Sequence, residues 1–567
     1  MNALRKIVRR DVDAEALACA DWPAHWPDAL RRVHAARGSF GGSQAMPALG
    51  SLPSPEGLLG VAEAVHLLRA AIASNAHIVV TADFDCDGAT ACAVAVRGLR
   101  MLGAQRISYA VPDRMVHGYG LTPGLVDELE TLQPDVLLTV DHGIACHAGI
   151  AAAKARGWQV IVTDHHLPGE TLPSADAVVN PQQAGDSFPS KSLAGVGVLF
   201  YLLLALRSAA RETGESTGDA DLGALLDLVA VGTVADLVKL DPLNRALVGA
   251  GLRRLRKGQG CAGLAALIEI AGREAARLTS TDIAFAIAPR INAAGRLEDM
   301  RLGIECLLGD DIATCRTQAE VLDAINRERR QMQQVMVDDA IALPELSADC
   351  LLPCVADDSW HPGVVGLVAS KLKEKLHRPV FAFAPAGDDE WRGSGRSIPG
   401  FHLRDAIALV DARHPGLIGR FGGHAMAAGL SLPRAALAEF SAAISHIAHA
   451  HADTLTRQEE IASDGELPTS ALDIHHAHAF RDGGSWGQGY PEPLFDGVFA
   501  VVDWRIVGER HLKLTLERDG QRLNAIQFDG WDGENPPRQL HIAYRLTPDD
   551  WRGGDAVQLV VVHRQVV

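Results

Sequence analysis

Three short stretches carry the chemistry of this chain. The first is Thr81-Ala82-Asp83-Phe84-Asp85-Cys86-Asp87-Gly88, the second Thr139-Val140-Asp141-His142-Gly143, the third Thr163-Asp164-His165-His166. In each, the acidic groups come directly after a short apolar run. If the runs are parallel strands, their C-terminal ends open on one crevice, and groups 50 to 80 positions apart can share a site. Carboxylates gathered that closely repel one another and bind protons unless cations neutralise them. Oxygen ligands with an imidazole suit Mn²⁺ or Mg²⁺ better than zinc. A single Asp after a strand is usually a turn residue or a helix N-cap. Three such strand ends within about 85 residues are not explained that way. Two assignments stay open: Asp83 as a turn residue, and Asp164 as a partner that orients His165 or His166.

The elements that must position these groups follow from hydrophobic pattern. Apolar runs at 77–82, 107–111, 135–140, 159–163 and 177–179 alternate with helical segments at 88–102, 122–132 and 145–156. That alternation predicts a parallel sheet covered on both faces. Further helices are expected at 192–212 and 220–236, and a long polar helix at 312–341. A second, smaller α/β unit is expected from about 350, with strands at 351–355 and 380–384 around a helix starting at Gly363, then an Ala-rich helix at 434–453. The final block reads as five strands with turn signals, a small all-β barrel. The expected domains are 1–60, 61–245, 246–345, 346–455 and 456–567. The first 60 residues, with Trp22-Pro23, Trp26-Pro27 and Gly41-Gly42, read as irregular packing against a larger body.

Composition bounds the rest. The chain has 567 residues, of which 47% are hydrophobic and 22% charged, which excludes wholesale disorder. No run of 18 apolar residues is present, so neither a membrane span nor secretion is expected. Nine cysteines at irregular spacing, without paired C-x-x-C sets, point to a reduced cytoplasm. The net charge of −17 argues against broad attraction to a polyanion. Its densest part, residues 61–245, includes the motif aspartates, whose charge two divalent cations would partly offset.

These motifs, in this order, resemble the DHH phosphoesterase superfamily, whose name matches Asp164-His165-His166. Further motifs are PDR-x-x-x-GYGL (112–121), GTVADLVKL (232–240), RINAAGRL (290–297), WHPGVVGLVASKL (360–372), GSGRSIPGFHL (393–403) and GGHAMAAGLS (422–431). Together they resemble the RecJ family of bacterial single-stranded-DNA exonucleases, from about residue 60 to the C-terminus. One departure is Cys86, where that pattern has alanine. The resemblance implies an α/β multidomain fold: a parallel-sheet DHH catalytic domain, a smaller α/β associated domain, a linking long helix and a C-terminal all-β OB-fold. It implies one or two Mn²⁺ or Mg²⁺ ions held by Asp85, Asp87, Asp141, His165 and Asp236, with Asp83 and His166 close by as catalytic residues. The reaction implied is metal-assisted hydrolysis, which needs no Ser or Cys nucleophile.

Phosphate-gripping candidates under the same resemblance are Arg114, Arg290, Arg296 and Arg396, with Asn292 and Ser394 in the same motifs and His424 in GGHAMAAGLS. Gly393 and Gly395 would let backbone approach a phosphate beside Arg396. Aromatics are only 5% of the chain, so Tyr119 and Phe401 are the base-stacking candidates. The implied substrate is single-stranded DNA with a 5′ end, degraded 5′→3′ to mononucleotides in repair and recombination. Single-strand-binding protein and a RecQ-type helicase are the implied partners, and the protein is expected to be a monomer with no membrane association. A DHH phosphatase of small substrates and a non-catalytic scaffold are the rival readings. The extra 456–567 block tells against the first, and the intact motif carboxylates tell against the second.

Overall fold

The computed structural model describes residues 5–346, 350–387, 389–456, 458–549 and 552–567. Contacts divide it into two units. One holds Ile325–Ile461 with the chain start through Val8; the other holds Arg9–Ala324 and Ala462–Val567. The chain passes from one to the other within the 30-residue helix Ile312–Ile341. A strand near the start, β1 (Arg5–Arg9), belongs to a two-stranded sheet completed much later in the chain.

The larger unit is built on β2 (Ile78–Ala82), β3 (Ile107–Ala110), β4 (Val136–Val140), β5 (Gln159–Thr163) and β6 (Ala177–Val179). All four pairings are parallel, in the order β3-β2-β4-β5-β6. Because both faces are covered, β2 and β4 are buried along their whole length, which is why they read as unbroken apolar runs. Side chains of alternate parity serve different cores. Val79, Leu137, Val160 and Val162 pack under the helices Pro123–Leu129 and His147–Ala155. Ile78, Val80, Leu138 and Ile161 belong to the main core with the helices Val61–Ala73, Cys86–Met101 and Gly195–Glu212.

Residues 9–60 are held to this unit by a buried aromatic cluster. The His34 ring lies between Trp26 and Trp486, with centroids 4.9 and 5.0 Å away. Its nitrogens pair with the Tyr490 hydroxyl at 2.7 Å and the Gly483 carbonyl at 2.9 Å. The Arg245 guanidinium stacks 3.9 Å from the Tyr490 ring centre. Burial holds His34 near a pKa of about 3; its hydrogen bond to Gly483 only partly opposes this, and Arg37 and Arg245 add to it. The ring is therefore neutral in the folded protein.

The smaller unit carries a five-stranded sheet: β7 (Cys354–Ala356), β8 (Val380–Pro385), β9 (Glu390–Arg396), β10 (Arg420–Gly423) and β11 (Ala427–Pro433), ordered β10-β11-β9-β8-β7. Only β7 and β8 run parallel. Sequence pattern located β7 and β8 but not the other three, because glycine-rich runs such as Gly-Ser-Gly and Phe-Gly-Gly have low strand propensity. Packing decides there. Gly393 and Gly395 face the core, where an added Cβ would sit 2.3 Å from the Phe383 ring and 2.5 Å from the Phe381 ring. The reading of these two glycines as approach points for a phosphate is therefore corrected: they make room for phenylalanine. The helix expected from Gly363 starts instead at Val365, and the Ala-rich helix spans Leu437–His449.

Strand β12 (Glu459–Ser463) completes the small sheet with β1. The last five strands are β13 (Phe495–Val507), β14 (His511–Arg518), β15 (Gln521–Gln527), β16 (Gln539–Pro548) and β17 (Val557–Val566). They close a barrel in the order β13-β14-β15-β17-β16, as the five expected strands required. Among the described residues, no helix is long and apolar enough to cross a membrane.

Candidate active site

The motif carboxylates converge at the C-terminal ends of β2, β4 and β5, each placed by a different local device. Asp85 caps the Cys86–Met101 helix, accepting the Gly88 N–H at 3.0 Å. Asp87, in the first turn of that helix and buried, accepts the N–H groups of Gly195 at 2.6 Å and Val196 at 3.0 Å. Those donors are the buried amides at the start of the Gly195–Glu212 helix, which have no acceptor within the helix, and the helix's positive end favours a carboxylate. Asp141 follows β4 with φ of 63°, a left-handed conformation uncommon outside glycine, while its N–H still pairs with the Thr163 carbonyl at 3.0 Å. Asp236 caps the C-terminal end of the Leu226–Ala235 helix. A negative group is unfavourable at that end of a helix dipole, so local stability does not account for it.

The side chains meet. Ligand atoms of Asp83, Asp85 and Asp141 lie within 4.8 Å of one another; the same holds for Asp87, His165 and Asp236, and for Asp141, His165 and His166. His165 Nε2 is 3.2 Å from Asp141 Oδ1 and 3.5 Å from Asp236 Oδ2. Burial, then the charge of neighbouring carboxylates, pushes Asp87 up to about 7. The same causes hold Asp83, Asp141 and Asp236 well above the ordinary carboxylate range. Asp141 Oδ1 is buried and accepts no hydrogen bond. A buried, unsatisfied carboxylate oxygen among four others and an imidazole is a donor set short of a cation, and it fits hard divalent metals.

Asp164 has a different task. It is buried and accepts from the N–H groups of Ile144, His165 and His166 and from His166 Nδ1 at 2.7 Å. Burial would raise its pKa, but these bonds and the two imidazoles hold it far below the usual range. For His166, burial favours the neutral ring, yet the hydrogen bond and charge of Asp164, helped by Asp83 and Asp85, lift its pKa to about 9. Asp164 is thus the residue that orients His166.

Three family models match the chain: the DHH family N-terminal domain at residues 77–233, the DHHA1 domain at 348–450 and the RecJ OB domain at 463–563. The single-stranded-DNA-specific exonuclease RecJ of Dickeya dadantii is 44% identical over 578 residues, covering 99% of both chains. The chain belongs to the RecJ family. The crystal structure of Thermus thermophilus RecJ in complex with Mn²⁺ matches with a TM-score of 0.82 and 30% identity, over 99% of this chain and 79% of that one. The Mg²⁺ complex of RecJ from the same organism matches with a TM-score of 0.77 and 28% identity, over 99% and 78%.

The other candidate residues of this RecJ-family chain fall into distinct environments. Arg114 stacks 4.0 Å from the centre of the Phe84 ring, between the motif aspartates. Tyr119, about half exposed, meets Phe84 and His166 edge-on at 6.0 Å. Asn292 accepts the Cys86 N–H at 2.9 Å, tying the Ala288–Leu297 helix to the aspartate loop. Arg296 lies one helical turn further along that face. Arg290 is engaged elsewhere, with Asp323 at 2.8 Å and the Ala286 carbonyl at 2.5 Å.

In the smaller unit, Arg396 donates to Ser394 Oγ at 3.0 Å and to the Gly395 carbonyl at 2.8 Å. An added Cβ on Gly366 would touch both side chains, which places them beside the start of the Val365–Leu376 helix. His424 is exposed in the turn between β10 and β11, so it is not a core histidine. Phe401, expected as a stacking candidate, is instead buried at 3% exposure in the smaller unit's core.

Sequence reasoning missed the amides of Gly195 and Val196 and the hub role of Phe84. The signal for the first was a Gly-Val-Gly-Val helix start with no side-chain cap of its own. For the second it was an aromatic between two aspartates.

Proposed function

We propose that this RecJ-family chain hydrolyses single-stranded DNA from its 5′ end, releasing mononucleotides, in DNA repair and recombination. The observation that carries the reading is the buried carboxylate–imidazole cluster with its unsatisfied Asp141 oxygen. Asp85, Asp87, Asp141, His165 and Asp236 would hold one or two Mn²⁺ or Mg²⁺ ions, with Asp83 and His166 adjoining. Bound there, the cations supply an activated water and charge neutralisation on the phosphoryl oxygens. The protein supplies the geometry. Gly195 and Val196 fix Asp87, the β4 end fixes Asp141, and Asp164 fixes His166.

Arg114 and Arg296, held at the aspartate loop, are the phosphate-gripping groups of the larger unit. Ser394, Arg396 and His424 serve the 5′-terminal phosphate, and Arg396 brings the planar donor fork that such a group accepts best. The working division of the chain is a catalytic domain at 61–245, a helical connector at 246–345, an associated domain at 346–455 and the barrel at 456–567. We place the protein in the cytoplasm as a monomer, with single-strand-binding protein and a RecQ-type helicase as partners.

The test is a long single strand labelled at one end, incubated with the protein and Mn²⁺, then repeated with the label at the other end. Early release of labelled mononucleotide from the 5′-labelled strand alone is the expected result. Release first from the 3′ label refutes the polarity. No release from a long strand, with hydrolysis of dinucleotides instead, replaces the reading with a small-substrate phosphatase.

A further inference from the structure

Phe285 is 80% exposed, more than any other large apolar side chain among the described residues. A lone exposed phenylalanine needs no explanation, but this one is not alone. Leu237, 67% exposed, shares with it a cavity of about 190 Å³ whose walls include Thr233, Val234, Ala284 and Trp486. Leu237 directly follows Asp236 and has φ of 60°, a left-handed backbone that a leucine adopts only where the surroundings impose it.

Phe285 itself sits in a π-helical turn, Ile283–Ile287, whose other large side chains, Ile283 and Ile287, are buried. Such a turn adds a residue to the helix and rotates the side chains beyond it, and it is frequent at functional sites. Both residues are mounted on braced backbone. The Leu240 N–H donates to the Gln488 carbonyl at 2.7 Å, and the Ser280 hydroxyl donates to the Trp486 carbonyl at 2.5 Å. The structure thus holds two apolar side chains out into solvent on anchored segments, and one of them, Leu237, directly follows a carboxylate of the cluster.

The occupant that fits is a nucleobase. A single strand presents bases with open π faces, and an aromatic ring stacks on any of them without regard to sequence. Leu237 adjoins Asp236 in the chain and shares a cavity with Phe285, so a base flanking a phosphate held at the carboxylate cluster has these two apolar side chains near it. We infer that Phe285, backed by Leu237, is the stacking platform for a base adjoining the scissile phosphate, and so contributes to substrate affinity independently of sequence. The inference rests on the proposed exonuclease activity.

The test uses full-length protein with Mn²⁺ and a set of 5′-labelled single strands, each lacking one base at the first, second or third nucleotide. For wild type, removal of the stacked base should raise KM roughly 5- to 150-fold, the range of one base–aromatic stack. Phe285→Ala should raise KM on the intact strand by a similar factor and show no further rise when that base is removed, while Phe285→Trp restores it. Thermal stability should not move, because the ring is mostly solvated. Wild-type KM for Phe285→Ala, or a full additional penalty for base removal in that variant, overturns the inference. If no strand is hydrolysed by wild type, the exonuclease reading fails. The same comparison by equilibrium strand binding then decides the stacking inference on its own.

Discussion

Gly195→Ala tests the geometry of the cluster without removing any ligand. Gly195 opens a helix and has no positive φ, so alanine is acceptable to its backbone. Its difficulty is steric: an added Cβ would sit 2.4 Å from Asp141 Oδ1 and 2.6 Å from its Cγ, where ordinary contact begins at 3.4 Å. The two must separate by about 1 Å. The helix cannot simply withdraw, because the Gly195 N–H holds Asp87 at 2.6 Å. The carboxylate must give, and a displacement of about 1 Å at a reacting centre costs on the order of 10²-fold in rate. We therefore expect Gly195→Ala to lower kcat/KM on 5′-labelled single strands about 100-fold and to weaken Mn²⁺ binding by titration calorimetry. Gly50→Ala, with nothing within 4 Å of the new methyl group, should match wild type in both. Wild-type turnover by Gly195→Ala would show that Asp141 is free to retreat, and would refute the argument that backbone contact sets the cluster.

Asp141→Ala should abolish hydrolysis and lower Mn²⁺ affinity while leaving equilibrium strand binding near wild type; unchanged turnover removes Asp141 from the metal set. Arg396→Ala should reduce the preference for a 5′-phosphate over a 5′-hydroxyl by roughly tenfold or more, as lost charge-assisted bonds require, and an unaltered preference would withdraw that role. Gly393→Ala should cost about 1–3 kcal/mol in urea unfolding by overpacking Phe383, with the 5′-phosphate preference intact. A stable variant with altered preference would restore the phosphate reading of that glycine. His34, neutral in the fold and facing Arg37, Arg245 and Tyr490, sets a pH window. Its folded pKa is depressed, so its contribution is present above pH 6.5 and is lost as pH falls toward about 3. Between pH 7.5 and 5.5 wild type should lose about 1.4 kcal/mol more stability than His34→Gln, and equal losses would show that the buried ring does not control acid sensitivity.

Much of this protein is local information. The five strands of the first sheet are short apolar runs, and their pairing in a parallel sheet follows from the helices between them. The aspartates sit within one to five residues of the ends of those runs, so strand ends alone brought Asp83, Asp85, Asp87, Asp141 and His165 to one edge. The barrel was legible for the same reason: its strands carry the pattern themselves.

What tertiary structure decided depends on close approach between distant segments, which leaves no periodic trace. The amides that hold Asp87 come from Gly195 and Val196, and the partner of the Cys86 N–H comes from Asn292. Arg290 and Arg296 lie in one motif, yet the first pairs with Asp323 while the second lies on the face that meets the aspartate loop. β9 forms against its own propensity because Phe381 and Phe383 need Gly395 and Gly393 beneath them. Residue type and spacing set which chemistry was possible here. Steric fit over long sequence separations set which atoms perform it, because contact energies depend on three-dimensional distance, and one sequence records only order.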